Sequence, residues 1–425
     1  MIADISPARR AISYPQIMPL PPGSRPPEQS KPARTGSGSP RLGTFGELAL
    51  LRMIRLRAAH SQSPELQLGI GDDCAILRPA PGEELAVTTD LSIAGRHFRL
   101  DWHPAESIGH RALARGLSDL AAMGARPVGA FLSLALPADL VQNPKARSAS
   151  TRHNSPQGPH AERTKQTIWL DRFLDGFFAL AQSHQLPLAG GDLSESPLAV
   201  ADVVLTGAVS QGRALLRSGA KPGDLIYVTG QLGGAAVGLE HLTALAAALK
   251  RERSRQKASP IPPIPPRLKA LLNRHLFPTP RVAQGLWLAR NSLATAAIDL
   301  SDGVSTDLAH LCAESGVAAE LDGAALPFAT AATPAQVLNG GEDYELLFTA
   351  PAAARIPSSI EGIPVTQIGR IVAASKGAAG EKDATKGSTG KRSARPPGSP
   401  IASPITLITS KGAVRLTPQG WQHFS

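Results

Sequence analysis

Seven aspartates stand where apolar runs end or meet glycine: Asp72 and Asp73 in GIGDDCAIL, Asp90 in VTTD, Asp119 in GLSDLAAMGA, Asp192 in LAGGDLSES, and Asp299 and Asp302 in AIDLSDG. A single aspartate in such a place makes a turn or caps a helix. Asp119 breaks that pattern, because it falls between Leu117 and Leu120 on or near the apolar face of a helical repeat, where an unpaired carboxylate is costly. Asp72 and Asp73 repel one another unless water or a cation lies between them. A shared cation site explains the whole set better than seven separate turns do. Oxygen donors without accompanying Cys or His pairs select Mg²⁺ over zinc or copper, and Mg²⁺ held by scattered carboxylates takes phosphate as its other partner. Thr88, Thr89 and Ser301 stand beside these aspartates and add neutral oxygens. The chemistry expected is an acidic, glycine-lined cleft that binds a polyphosphate through metal ions.

Missing motifs narrow the class. The sequence has no G-x-x-x-x-G-K-[ST] phosphate loop and no H-R-D catalytic loop with D-F-G. TGQLGGAAVG (229–238) is glycine-rich after a strand but does not fit G-x-G-x-x-G, so close helix–strand packing is its first reading and phosphate cradling its second.

The elements that must position these residues alternate along the chain. LAVTTDL (85–91), GAFLSLALP (129–137), AVADVVLTGAV (199–209) and LIYVTG (225–230) read as strands. Residues 106–123 repeat Ile108, Ala112, Leu113, Leu117, Leu120 and Ala121 at helical spacing, and 169–182 do so with Leu170, Phe173, Leu174, Phe177 and Phe178. The pattern is α/β (α+β) in two domains, with a boundary near 210–215.

A chain of 425 residues with 42% hydrophobic residues can fill a sizeable core. The net charge of +10 suggests nucleic acid until it is located. Residues 1–42, 140–167, 250–269 and 375–400 together carry +18, which leaves −8 for the rest. These basic stretches are rich in Pro, Ser, Gly and Lys and lack interleaved aromatics, so they read as disordered extensions and loops rather than a nucleic-acid surface. No apolar run is long enough to span a membrane and no secretory leader is evident, which points to the cytoplasm. Cys74 and Cys312 are too few for a disulfide framework and read as small buried residues.

The ordered series GIGDDCAIL, TTDLSIAGRHF, RGLSDLAAMGARP, LAGGDLSES, GRALLRSGAKPGD, AIDLSDGVSTDL and LNGGEDYELLFT resembles the thiamine-monophosphate kinase family of the aminoimidazole-ribonucleotide synthetase superfamily. The resemblance spans residues 43 to 425 apart from the basic inserts. It implies two α/β domains, 43–212 for ATP, Mg²⁺ and dimerisation and 213–425 as the C-terminal domain, and a homodimer with ATP near its interface. It implies transfer of the γ-phosphoryl group of ATP to thiamine phosphate. Metal ligands would be Asp73, Thr88, Thr89, Asp90, Asp119, Asp192, Asp299 and Asp302. Gly191, Asp192, Arg217 and Ser301 would contact ATP, and His97, Glu342 and Trp421 thiamine phosphate. Asp343 and Glu345 are expected to be structural neighbours of Glu342. An acceptor that is itself a phosphate monoester needs no general base, so no catalytic base is assigned. Rival readings are a selenophosphate or aminoimidazole-ribonucleotide synthetase-like enzyme and a silent Mg-nucleotide sensor. Residues 1–42 have no counterpart in the family pattern.

Overall fold

The computed structural model describes residues 47–59, 63–141, 168–254, 265–374 and 404–420. The expectations for residues 1–42, for most of 140–167, for 375–400 and for Trp421 fall outside them. The described residues form one compact unit.

The first half runs α1 (Glu47–Ala58), β1 (Leu66–Leu68), β2 (Ile76–Leu77), β3 (Glu83–Ile93), α2 (Ala105–Ala122), β4 (Arg126–Leu136), α3 (Ala138–Val141), α4 (Trp169–Ser183), β5 (Leu188–Glu195) and β6 (Val200–Ser210). Its main sheet has the order β3-β6-β4-β5, antiparallel except for β4 with β5. The alternating side chains of these strands bury one face beneath α2 and α4. Those two helices touch backbone to backbone: a Cβ at Gly109 would lie 1.9 Å from the Phe173 carbonyl, and one at Gly176 1.8 Å from that of Glu106. On the other face Leu85, Val87 and Leu91 of edge strand β3 are 43, 64 and 46% exposed.

The second half runs β7 (Leu225–Thr229), α5 (Gly234–Ser254), α6 (Pro266–Leu276), α7 (Val282–Asn291), β8 (Ala296–Asp299), α8 (Val304–Ser315), β9 (Val317–Asp322), α9 (Pro334–Asn339), β10 (Leu346–Ala350), β11 (Ser359–Ile360), β12 (Ile363–Ala373), β13 (Ile405–Thr409) and β14 (Gly412–Leu416). The sheet order is β14-β13-β9-β12-β7-β10-β8, with β11 on β12. Helix α2 packs against α7 and β8, and Gly285 lets α7 approach so closely that a Cβ there would lie 2.0 Å from the Ala121 carbonyl. One apolar core therefore crosses from α2 and α4 into Val282, Leu288 and Phe348. This contact carries Asp299 of the second half to Asp119 of the first.

Two expectations need correction. The basic stretch 250–269 is not all loop: Lys250–Ser254 continue α5, four of the five being the good helix formers Lys, Arg and Glu, and Pro266 starts α6 at a first-turn position that needs no amide donor. Cys74 is exposed, because GIGDDC forms a turn instead of a buried strand; Cys312 is buried as expected.

Candidate active site

Arg111, Arg115, Ser118 and Asp119 fall at i, i+4, i+7 and i+8 along α2, so they form a single polar stripe on an otherwise apolar helix. Each meets a partner from another element. Asp119 accepts a hydrogen bond from the Thr88 hydroxyl of β3. Ser118 Oγ donates to Asp299 Oδ2 at 2.8 Å, and Arg115 lies 3.2 Å from Asp90 Oδ1. Burial pushes all three carboxyls up: Asp90 to about 6 against the pull of Arg115, Asp299 to about 7 with repulsion from Asp119 added, and Asp119 upward in spite of Thr88.

Two cavities meet at this cluster, and both are lined by Asp119 and Asp299. The first, of about 580 Å³, also takes in Asp90, His97, Ser301, Asp302 and Glu342. The second, of about 500 Å³, takes in Thr88 and Arg217, with Met123 and Leu216 on its apolar wall. His97 Nδ1 accepts the Ile93 amide at 3.1 Å, which leaves Nε2 to bear the ring proton as a donor. The turn between β8 and α8 is held by Asp307, whose Oδ2 accepts the amides of Asp302 and Gly303 at 3.0 Å each. Burial, with repulsion from Asp299 and Asp302, pushes Asp307 up to about 8.

Glu342 lies in a strained loop. It has φ of 66° and Tyr344 has φ of 51°, left-handed values that side chains other than glycine seldom adopt. The loop is pinned on both sides: the Glu342 amide donates to Ser301 O at 2.8 Å and that of Tyr344 to Leu300 O at 2.9 Å. Between them Asp343 accepts the amides of Gly233 and Ala235 at 2.5 and 2.9 Å, so the glycine-rich start of α5 is capped by a protein carboxylate. Glu345 pairs with Arg281. Asp343 and Glu345 are thus scaffolding, as expected. The Glu342 carboxylate meets Arg111 at 2.5 Å and His275 Nδ1 at 3.3 Å. Burial alone would raise its pKa, but the Arg111 guanidinium and His275 hold it well below the usual carboxylate range.

Other expected residues stand apart from this cluster. Asp90, Val203, Leu132 and Gly191 share one row across β3, β6, β4 and β5, so Gly191 and Asp192 lie three strand spacings from Asp90, about 14 Å along the sheet. Both are exposed. Asp73 is exposed too, in the turn after β1, and donates its amide to Asp72 Oδ1 at 2.9 Å. That turn leans on β5, since a Cβ at Gly69 would lie 3.9 Å from the Ala189 carbonyl. The Thr89 side chain points to the opposite face of β3 from Thr88 and donates to Asp202 at 3.0 Å. Among the described residues no three acidic, His or Cys side chains converge to hold an ion by themselves. The carboxylates nevertheless fit a cation that completes its shell with phosphate and water: Asp90 Oδ2 is buried without a hydrogen-bond partner, beside two more carboxyls driven toward protonation. Sequence reasoning missed Arg111, Arg115, Ser118, His275 and Asp307.

Two domain models match the chain, the N-terminal domain of AIR synthase related protein over residues 71–209 and its C-terminal domain over 221–381. Fold and acidic cleft thus define a two-domain AIR synthase-like protein. Thiamine-monophosphate kinase of Escherichia coli K12 is 38% identical over 341 residues, covering 77% of this chain and 91% of the relative. The crystal structure of thiamine-monophosphate kinase from Stenotrophomonas maltophilia K279a superposes with a TM-score of 0.61 at 37% identity, over 77% of this chain and 95% of that one. AaThiL complexed with AMPPCP and TMP gives a TM-score of 0.58 at 27% identity, over 91% and 100%. The chain belongs to the thiamine-monophosphate kinase family.

Proposed function

We propose that this chain transfers the γ-phosphoryl group of ATP directly, in line, to thiamine phosphate, forming thiamine diphosphate and ADP. The observation that carries this reading is the pair of cavities meeting at Asp119 and Asp299. One has the polar groups to take a phosphate ester with a donor-rich ring, and the other has Arg217 for a second polyanion. The names of the relatives, and a solved relative holding both AMPPCP and TMP, support that pair of substrates.

The acceptor phosphate has a second pKa of about 6, so its attacking oxygen is ionised at neutral pH and no side chain need remove a proton. His97 Nε2 donates to that phosphate, Glu342 accepts from the aminopyrimidine, and Trp421 stacks on the rings. Arg217 and Ser301 contact ATP, as do Gly191 and Asp192. Asp90, Asp119 and Asp299 would hold Mg²⁺, with Asp73, Thr88, Asp192 and Asp302 as further donors and Thr89 through its main-chain carbonyl, since its side chain faces away; when bound, the ion would neutralise phosphate oxygens so that two polyanions could approach. Asp90, Asp119 and Asp299 are fixed before substrate arrives by Arg115, Thr88 and Ser118, so little reorganisation accompanies transfer.

The working form in this reading is a cytoplasmic homodimer. Among the described residues no helix is long and apolar enough to cross a membrane. The exposed Leu85, Val87 and Leu91 face of β3 is the kind of apolar sheet surface that a second copy covers. A second copy would also bring its own Asp73, Gly191 and Asp192 to the cluster that lacks them in one chain. The deciding experiment incubates the purified protein with Mg-ATP and thiamine phosphate, with free thiamine as control acceptor, and follows ADP and thiamine diphosphate. Product from thiamine phosphate alone supports the kinase; ATP binding without product moves the assignment to another acceptor or to a sensor.

A further inference from the structure

Arg111 is 6% exposed at the side chain and donates to three separate segments. Its Nη2 reaches Glu342 Oε1 at 2.5 Å and the His97 carbonyl at 3.3 Å, while Nη1 reaches the His275 carbonyl at 2.8 Å. One planar group on α2 thus ties the β3–α2 loop, the end of α6 and the loop before β10 together. Two of those segments carry the side chains assigned to the acceptor, His97 and Glu342.

The imidazoles beside it continue the network. His103 Nδ1 lies 3.1 Å from the Arg99 amide and 3.2 Å from the Arg99 carbonyl, and its Nε2 faces His275 Nε2 at 3.1 Å. His275 Nδ1 in turn lies 3.3 Å from Glu342 Oε2, and Arg111 Nη1 lies 2.9 and 2.8 Å from His275 Nδ1 and Nε2. Both oxygens of Glu342 are thereby met from the protein side, and its rotamer is fixed before any ligand enters. Lysine could not reproduce this, because a single ammonium on a flexible stem lacks the rigid fork that meets three acceptors at fixed angles.

We infer that Arg111, braced by His275 and His103, is a positioning residue that presets His97 and Glu342 for the acceptor and so sets the affinity for thiamine phosphate without governing ATP. The inference rests on the functional reading above. The placement of its partners supports the separation: Arg111 stands two helical turns from Asp119, and His97, His275 and Glu342, which it meets, line the first cavity and not the second.

The test compares wild type, Arg111→Met, Arg111→Lys, Glu342→Gln and the Arg111→Met/Glu342→Gln pair, using steady-state kinetics for each substrate and calorimetric binding of thiamine phosphate. Arg111→Met should raise KM and Kd for thiamine phosphate by about 20-fold or more, while KM for ATP and kcat move by no more than about threefold. Arg111→Lys should recover less than about a third of that loss. The pair should bind no worse than the weaker single variant, since the two residues act as one unit. If Arg111→Met does not fold, Arg111→Lys and Glu342→Gln carry the test. Equal rises in both KM values, unchanged thiamine phosphate binding in Arg111→Lys, or additive losses in the pair would overturn the inference. Wild type that fails to bind thiamine phosphate overturns the functional reading and this inference with it; wild type that binds while the arginine variants bind equally overturns this inference alone.

Discussion

The carboxylates of this protein come in two kinds. Asp90, Asp119 and Asp299 are held within the contact of α2 with β3 and β8, each with a named partner, and burial drives their pKa values upward. Asp73 and Asp192 stand in solvent on the turn after β1 and on edge strand β5. The interior group holds charge whose burial cost Arg115, Thr88 and Ser118 offset only in part, so its geometry must be built into the fold. The rim group costs the fold little and gains a purpose only when something outside the chain approaches it.

Asp119, of the interior group, lines both cavities. Asp119→Asn should lower kcat by at least about 10²-fold, as loss of a group fixed at the charge-bearing centre does. The circular dichroism spectrum and the unfolding midpoint should stay near wild type, because the amide replaces the carboxylate at equal size. Turnover within a factor of about two of wild type would place the phosphoryl groups elsewhere.

Asp192 belongs to the exposed group. Asp192→Asn should fold normally and lose about tenfold or more in kcat, and mixing it with Asp119→Asn should then restore activity. Heterodimers that join Asp119 of one protomer to Asp192 of the other hold one intact site, so a refolded equimolar mixture should regain about a quarter of the wild-type rate. No gain on mixing, with dimers confirmed by light scattering, would mean that each site is built from one chain.

How much of this was legible follows the same division. Apolar periodicity predicts α2 and the strands β3, β4, β6 and β7 within a few residues, since those elements bury one face. Asp119 was visible as a charge on an apolar helix face. Arg111 sits in the same helix between Ile108 and Ala112, and the same test would have found it; so would the spacing Arg111, Arg115, Ser118, Asp119. What periodicity could not show was the pairing across halves. Ser118 with Asp299 and Arg111 with Glu342 are 181 and 231 residues apart, and they meet where α7, admitted by Gly285, and β8 settle on α2. The split between interior and rim aspartates depends on strand order, with β3 and β5 at opposite edges, and strand order is set by long-range pairing that a local pattern does not encode.

The smallest expected effect concerns stability without metal. A buried acid whose folded pKa is raised above its unfolded value contributes stability that is full below the unfolded pKa and is lost as pH rises through the folded one. For Asp299 that window runs from the ordinary 3.8 to about 7. In chelator, Asp299→Asn should lie nearest wild type at or below about pH 4, where the unfolded carboxyl too is largely protonated, and the gap in its favour should widen to about 2 °C or more in Tm at pH 8. Added Mg²⁺ should favour wild type and close the gap, because the cation supplies the compensation that the asparagine cannot use. Asp192→Asn is the control, since an exposed carboxylate loses little hydration on folding and its removal should leave Tm unmoved at both pH values. A pH-independent offset between Asp299→Asn and wild type would mean that Ser118 and the neighbouring groups already compensate the interior charge, and that the contrast between the two sets is one of position alone.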